Sequence, residues 1–277
     1  MLRTWKADLH IHTCLSPCAA LEMSARAIVE RAITEGIDVI GITDHNSAEN
    51  TAAVIKAAQG TALTVLPGME ATSREEVHLL ALFDGLEEAL ALQETVYAHL
   101  PGENDERAFG MQVVINADGE VLGFNPRLLF GATELTIEQL VEAIRRLNGA
   151  AIASHVDRET FGIIGQLGFI PEGLRLDALE LSPNTTVRAA RRRFAGCAAF
   201  AFIRSSDAHY VGDIGKATTL FSLGEPTVAE MKKAFLRREG RRVAPEEGTA
   251  VDPAGANSRE FRELYHGRPV ASCIGSC

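Results

Sequence analysis

Short apolar runs of strand length recur along this 277-residue chain, and most of them end in a histidine or a carboxylate. They are Ala7–Thr13, Ile37–Thr43 before Asp44-His45-Asn46, Ala62–Leu66 before Pro67-Gly68-Met69-Glu70, and Val77–Phe83 with His78 inside. Ala150–Ser154 before His155, Ala178–Leu181, and Ala198–Ile203 before Asp207 and His209 continue the series. Between them, apolar residues at helical spacing mark Ser24–Glu35, Ala48–Ala58, Ile137–Leu147, Thr186–Phe194 and Val228–Arg237. Ser24 is placed to cap the first of these helices and Gly36 to stop it. Alternating strand and helix predicts an α/β fold of parallel strands with crossover helices. In such folds the carboxyl ends of the strands converge on one face, where ligands bind.

The residues at those strand ends are the ones that chemistry uses. In Ala7–Thr13 (ADLHIHT) the period of a strand puts Asp8, His10 and His12 on one face, with Leu9 and Ile11 turned to a core. Six of the eight histidines, His10, His12, His45, His78, His155 and His209, lie in or just after predicted strands; His99 and His266 do not. Glu70 and Asp207 follow strand-like runs as well. Six imidazoles and two carboxylates brought together would be costly without a cation to organise them. Mixed ligands of this kind suit Zn, Mn or Fe in multinuclear hydrolytic sites.

Residues 84–136 break the alternation. Met111–Ile115 and Val121–Phe124 flank Asn116-Ala117-Asp118-Gly119, a hairpin signal, so this stretch reads as a small insertion, or cap, on the barrel. One domain over residues 1–240 is expected, followed by a polar C-terminal extension over 241–277. Formal charge of −10 argues against extended nucleic acid and anionic membrane as partners. No apolar run approaches the roughly 20 residues of a membrane span. The first ten residues hold no signal-peptide core, and five cysteines read as reduced thiols, so a cytoplasmic protein is expected. Arg188–Arg193 reads first as a solvated helix face and second as a phosphate patch. No glycine-rich Walker loop supports nucleotide-driven phosphoryl transfer.

Taken in order, ADLHIHT, ITDHN, PGMEAT, the histidine of EEVHLL, ASHVDR and SSDAH resemble the PHP (polymerase and histidinol phosphatase) superfamily from about Ala7 to about Thr219. The resemblance implies a distorted (βα)₇ barrel with two or three divalent transition-metal ions. It implies a metal-dependent phosphoesterase that hydrolyses a small phosphate monoester or nucleotide through a metal-activated hydroxide. His10, His12, Glu70 and Asp207 would hold the first metal. Glu70, as the bridge, would share the second with His78 and His155, while His45 and His209 would belong to a third.

Members often place a histidine or aspartate in the loop after HxH; here Cys18 stands nearest to that place, as a third-metal ligand or a small buried residue. A thiolate there favours Zn or Fe over Mg. Asp44 would support the loop, and Arg158 resembles an arginine that members turn to substrate phosphate. Glu70 and Asp207 would be the catalytic carboxylates. Cys273 and Cys277 repeat the spacing of Cys14 and Cys18. Two other functions remain open: a nuclease-like phosphodiesterase on short oligonucleotides, and a metal-binding regulatory protein without turnover.

Overall fold

The structure is a computed structural model and describes residues 1–244. Its elements in chain order are β1 (Arg3–Ile11), α1 (Ala25–Thr34), β2 (Val39–Ile42), α2 (Thr51–Ala57), β3 (Thr64–Thr72), β4 (His78–Leu82) and α3 (Leu86–Tyr97). Next come α4 (Glu106–Phe109), β5 (Val113–Ile115), β6 (Val121–Phe124), α5 (Ile137–Arg146), β7 (Ala150–Ala153), α6 (Ile163–Leu167), β8 (Ala178–Leu181) and α7 (Val187–Arg193). The series closes with β9 (Phe202–Arg204), β10 (Thr219–Leu223), α8 (Val228–Phe235) and β11 (Arg242–Val243). Ser24 caps α1 as expected, its side chain accepting from the Ala27 N–H, and Gly36 follows at φ +63°. No described helix is long and apolar enough to cross a membrane.

Nine strands form one curled sheet in the order β11-β10-β1-β2-β3-β4-β7-β8-β9. The sheet curls back on itself, with β9 and the residues after it reaching β10 and β1: the Arg204 N–H donates to Thr219 Oγ1 at 2.7 Å and the Ser206 N–H to Asp8 Oδ1 at 2.9 Å. The result is the nearly closed α/β barrel that the alternation and the resemblance imply. Apolar side chains fill its inside and the base under α8, among them Leu9, Leu80, Ile152, Ile203 and Phe221. β2 (VIGI) is buried on both faces, which is why it reads as an unbroken apolar run.

Three details depart from the sequence reading. β4 runs antiparallel to both β3 and β7, because the link at 73–77 is too short for the crossover that a parallel pair needs. β10, unread in the sequence, lies antiparallel on β1 and buries Thr219, Phe221 and Leu223 in alternation. Third, the β1–β2 register shifts between Asp8 and Ile11, so the simple alternation of ADLHIHT fails. Leu9 and Ile11 enter different core clusters, and the Asp8 carboxylate accepts from the Ser206 and Gly215 amides. Burial outweighs those hydrogen bonds and lifts the Asp8 carboxyl to about 6.

The 84–136 stretch contains the expected hairpin, β5–β6, with Gly119 at φ +83° in the turn. It also contains α3, whose inward stripe is Ala89, Leu92, Gln93 and Val96. Two buried asparagines fasten this stretch to the barrel. The Asn46 amide donates to Leu129 O and Gly131 O, both at 2.8 Å, and Asn50 pairs with Val113 O and the Ile115 N–H, both at 2.9 Å. Of the expected C-terminal extension, β11 pairs with β10; Cys273, Cys277 and His266 lie outside the described residues.

Candidate metal centre

Glu70 near the end of β3 is the hub. Its carboxylate is 1% exposed and has five imidazoles around it. Oε2 is 3.4 Å from His10 Nε2, 3.5 Å from His12 Nε2 and 3.2 Å from His45 Nδ1. Oε1 is 2.9 Å from His78 Nδ1 and 3.2 Å from His155 Nε2. Asp207 joins from the far side of the barrel, its Oδ1 at 3.2 Å from both His10 Nε2 and His12 Nε2. His209 stacks on His12 with ring centroids 4.2 Å apart, and its Nδ1 is 3.6 Å from Asp207 Oδ1. Cys18 lines the same cavity as His45 and His209. The structure therefore gathers every residue that the sequence reading nominated. His99 stays apart, bonded to Thr95 O within its own helix end.

The electrostatics follow from burial and crowding. Burial opposes charge on His10, but Glu180, Glu70 and Asp207 overcome it and hold the imidazole well above its ordinary value. Burial and the neighbouring His209, His45 and His10 push His12 well below. Despite burial, the surrounding histidines hold the Glu70 and Asp207 carboxyls well below the carboxylate range. Burial would raise the Cys18 thiol, yet His45 and His209 bring it down to about 6.

The donor set fits divalent ions. His10 Nε2 and His12 Nε2 face each other at 3.1 Å, which lets at most one lone pair be satisfied by a proton. His45 Nδ1 is buried and makes no hydrogen bond. Among the described residues, three groups have ligand atoms within 4.8 Å of one another: His10, His12, Glu70 and Asp207; His45, Glu70 and His78; and His12, His45 and His209. The grouping differs in part from the expected one, since His155 reaches Glu70 but falls outside these three groups.

The loops that carry these residues are held in sparsely populated backbone conformations. Asn46, His155, Phe161 and Asp207 all have positive φ, at 50°, 27°, 60° and 51°. Such strain persists only where the surroundings over-determine it. Asp44 supplies part of that support, as expected. Its Oδ1 accepts from the Thr13 N–H and the Ser16 hydroxyl, both at 2.7 Å, and Ser16 Oγ in turn sits 2.9 Å from His12 Nδ1.

Glu180 on β8 escaped the sequence reading. Its carboxylate, 1% exposed, lies 3.0 Å from His10 Nδ1 and accepts from the His155 N–H at 3.1 Å. A carboxylate behind an imidazole fixes its tautomer and aim. The available signal was a charged residue inside the apolar run Ala178–Leu181. Glu180→Gln should weaken metal binding about 10–100-fold while the protein stays folded, read by competitive titration with a chelator.

Arg158 Nη1 pairs with Asp207 Oδ2 at 2.6 Å and lines a cavity together with Cys18, His45, Glu70 and His209. The Arg188–Arg193 cluster forms α7; Arg193 Nη1 reaches Asp157 O at 3.3 Å, next to Arg158, while Arg191 lies over Phe202.

Comparison with known proteins bears on all of this. The PHP domain profile matches residues 8–158, and a PHP-associated profile matches residues 189–239. No curated protein sequence matches the chain. The lesion-specific endonuclease Q from Pyrococcus furiosus has a similar structure, with a TM-score of 0.67 and 18% identity over 87% of this chain. The chain spans 58% of that endonuclease's length. A structure of endonuclease Q in complex with a 27-mer duplex bearing an abasic lesion is equally similar. A candidate metal-dependent phosphoesterase from Bifidobacterium adolescentis matches at TM-score 0.51 and 18% identity, covering 80% of this chain and 89% of its own. PsfC from Pseudomonas syringae matches at 0.54 and 15%, covering 95% and 96%.

These likenesses carry the fold, and they correct one expectation. Net charge of −10 argued against extended nucleic acid, yet a protein of this fold holds duplex DNA at its active site. Total charge does not decide the matter, because cations and arginines set the field locally. Since the PHP profile spans more than half of the sequence, the chain belongs to the PHP domain family.

Proposed function

We propose that the protein is a metal-dependent phosphoesterase that hydrolyses a phosphate ester at the centre around Glu70. The observation that carries this reading is one buried carboxylate within 3.5 Å of five imidazoles, a donor set that suits divalent cations. His10, His12, Glu70 and Asp207 would hold one ion. Glu70 would share a second with His78 and His155, and His45, His209 and the Cys18 thiolate would hold a third. Bound divalent ions supply Lewis acidity toward the phosphoryl oxygens and a water of lowered pKa.

The chain's own groups do the rest. Asp207 is ionised near neutral pH, so it acts as a ligand and anchor and not as an acid. Arg158, about 39% exposed in its side chain, swings between Asp207 and the phosphoryl oxygens, which its planar fork suits. Glu180 keeps the His10 ring aimed at the centre. In the reaction the P–O bond to the organic group breaks, a water oxygen bonds phosphorus, and the departing oxygen takes a proton.

A panel assay of metal-replete protein tests this. It compares small phosphate monoesters, nucleotides and an abasic duplex oligonucleotide, with Mn, Zn or Fe supplied in turn. Release of phosphate or cleavage of a strand, lost on chelation, is the expected result. Absence of both with every metal would overturn the reading, and the preferred member separates a small ester from a nucleic acid.

A further inference from the structure

The cavity at the centre, about 230 Å³, has two chemically different walls. One carries the ligands and Arg158. The other is aromatic: Phe130 stands edge-on to His45 with ring centroids 5.3 Å apart, and Phe161 lies face-on to His78 at 4.4 Å and 16°. The two phenyl rings meet at 6.2 Å, close to perpendicular. Phe130 belongs to the inserted stretch and is 37% exposed, so a large apolar ring is left uncovered beside a polar pocket.

Both rings are held in place. Asn46, the residue after His45, donates to the carbonyls on either side of Phe130, Leu129 O and Gly131 O, both at 2.8 Å. Asn46 Oδ1 accepts from the Thr72 N–H at 3.0 Å, which ties the same side chain to β3. Phe161 keeps φ at 60° and accepts from the His78 N–H at 2.9 Å through its own carbonyl. The loop behind it is closed: a Cβ on Gly162 would stand 2.7 Å from Arg158 O, and one on Gly165 2.1 Å from Glu159 O. A strained, bulky residue fixed beside a pocket points to a role in that pocket.

We infer that Phe130, backed by Phe161, selects phosphate esters whose organic group bears a planar ring. The ring lies against the uncovered face of Phe130 while the phosphoryl group sits beside Arg158. This specificity rests on the phosphoesterase reading. Aromatic faces favour flat partners over puckered ones of equal size, because offset stacking and edge contacts need a π-face on both sides. A nucleobase and a simple aryl group share that chemistry.

The test uses the metal-replete full chain and two non-hydrolysable ligands of equal reach, benzylphosphonate and cyclohexylmethylphosphonate, with binding read by calorimetry. Benzylphosphonate should bind about fivefold tighter. Phe130→Leu should erase that preference and Phe130→Tyr keep it, with inorganic phosphate binding all three proteins alike. Equal binding of the two ligands to the wild type, or a preference that survives in Phe130→Leu, would overturn the inference. Failure of inorganic phosphate to bind at all would instead sink the phosphoesterase reading beneath it. Turnover of adenosine 5′-monophosphate against ribose 5-phosphate then names the ring. An advantage lost in Phe130→Leu assigns a nucleobase, and a preference confined to the benzyl pair assigns a small aryl ester.

Discussion

Glu70→Gln should cost about 10³-fold in turnover and remove the two ions that its carboxylate would share, leaving at most the one assigned to His45, His209 and Cys18. The amide keeps the shape of the carboxylate but loses the charge, and only one of its two terminal atoms can accept an ion. In the wild type that charge faces His10, His12 and His45 through one oxygen and His78 and His155 through the other. A carboxylate shared between two cations offsets their mutual repulsion, so its loss empties both sites together. Replacing His78 alone should cost less, because a terminal imidazole serves one ion. Elemental analysis and steady-state kinetics on both variants give the comparison. Near-normal turnover and full metal in Glu70→Gln would show that Glu70 is not the bridge.

Stripping the metals should abolish turnover and lower the melting temperature by about 5–10 °C for one ion present at a hundredfold excess over its dissociation constant. The pH dependence of the stripped protein follows from its ligands. Glu70 and Asp207 are depressed in the fold, so their stabilisation is present above about pH 4, the unfolded value, and is lost as pH falls further. His12 and His78 are depressed too; the unfolded chain takes up their protons below about 6.5, which again removes stability on the acid side.

His10, His45 and His209 are raised, burial notwithstanding, by the anionic groups around them. Their contribution is complete below about 6.5 and is lost as pH rises through the folded values, about 10 for His45. Stripped protein should therefore melt highest near pH 6–7 and lose stability on both sides. Metal-loaded protein, with its imidazoles held neutral by the ions, should keep its melting temperature through pH 8. Scanning calorimetry across pH checks this, and identical curves with and without chelator would count against a metal centre.

The residue types at the strand ends were legible because they obey local rules. A histidine or carboxylate directly after an apolar run of strand length lands on the carboxyl face of the sheet whatever the details of its neighbours. That rule places His45 and His155, while His10 and His12 are legible from the HxH spacing within a strand; His78 instead opens β4 and reaches the same face only because β4 runs antiparallel. The β5–β6 hairpin was legible for the same reason, since Asn116–Gly119 specifies its turn over four residues. Helix α1 likewise announced itself through Ser24 and Gly36.

Only the tertiary structure decided what depends on residues far apart in the chain. Glu180 reaches His10 across 170 positions, and no spacing rule links a carboxylate on β8 to an imidazole on β1. The antiparallel course of β4, the register shift in β1, and the seat of Phe130 beside His45 depend on barrel closure and on Asn46 holding the 129–131 backbone. Overall charge failed as a guide to partners for a related reason: a sum over the sequence does not locate a single charge. The sequence by itself determined which chemistry could be present, because side-chain types and strand period are local properties. The fold decided which groups meet, because contact is set by how distant strands close on one another.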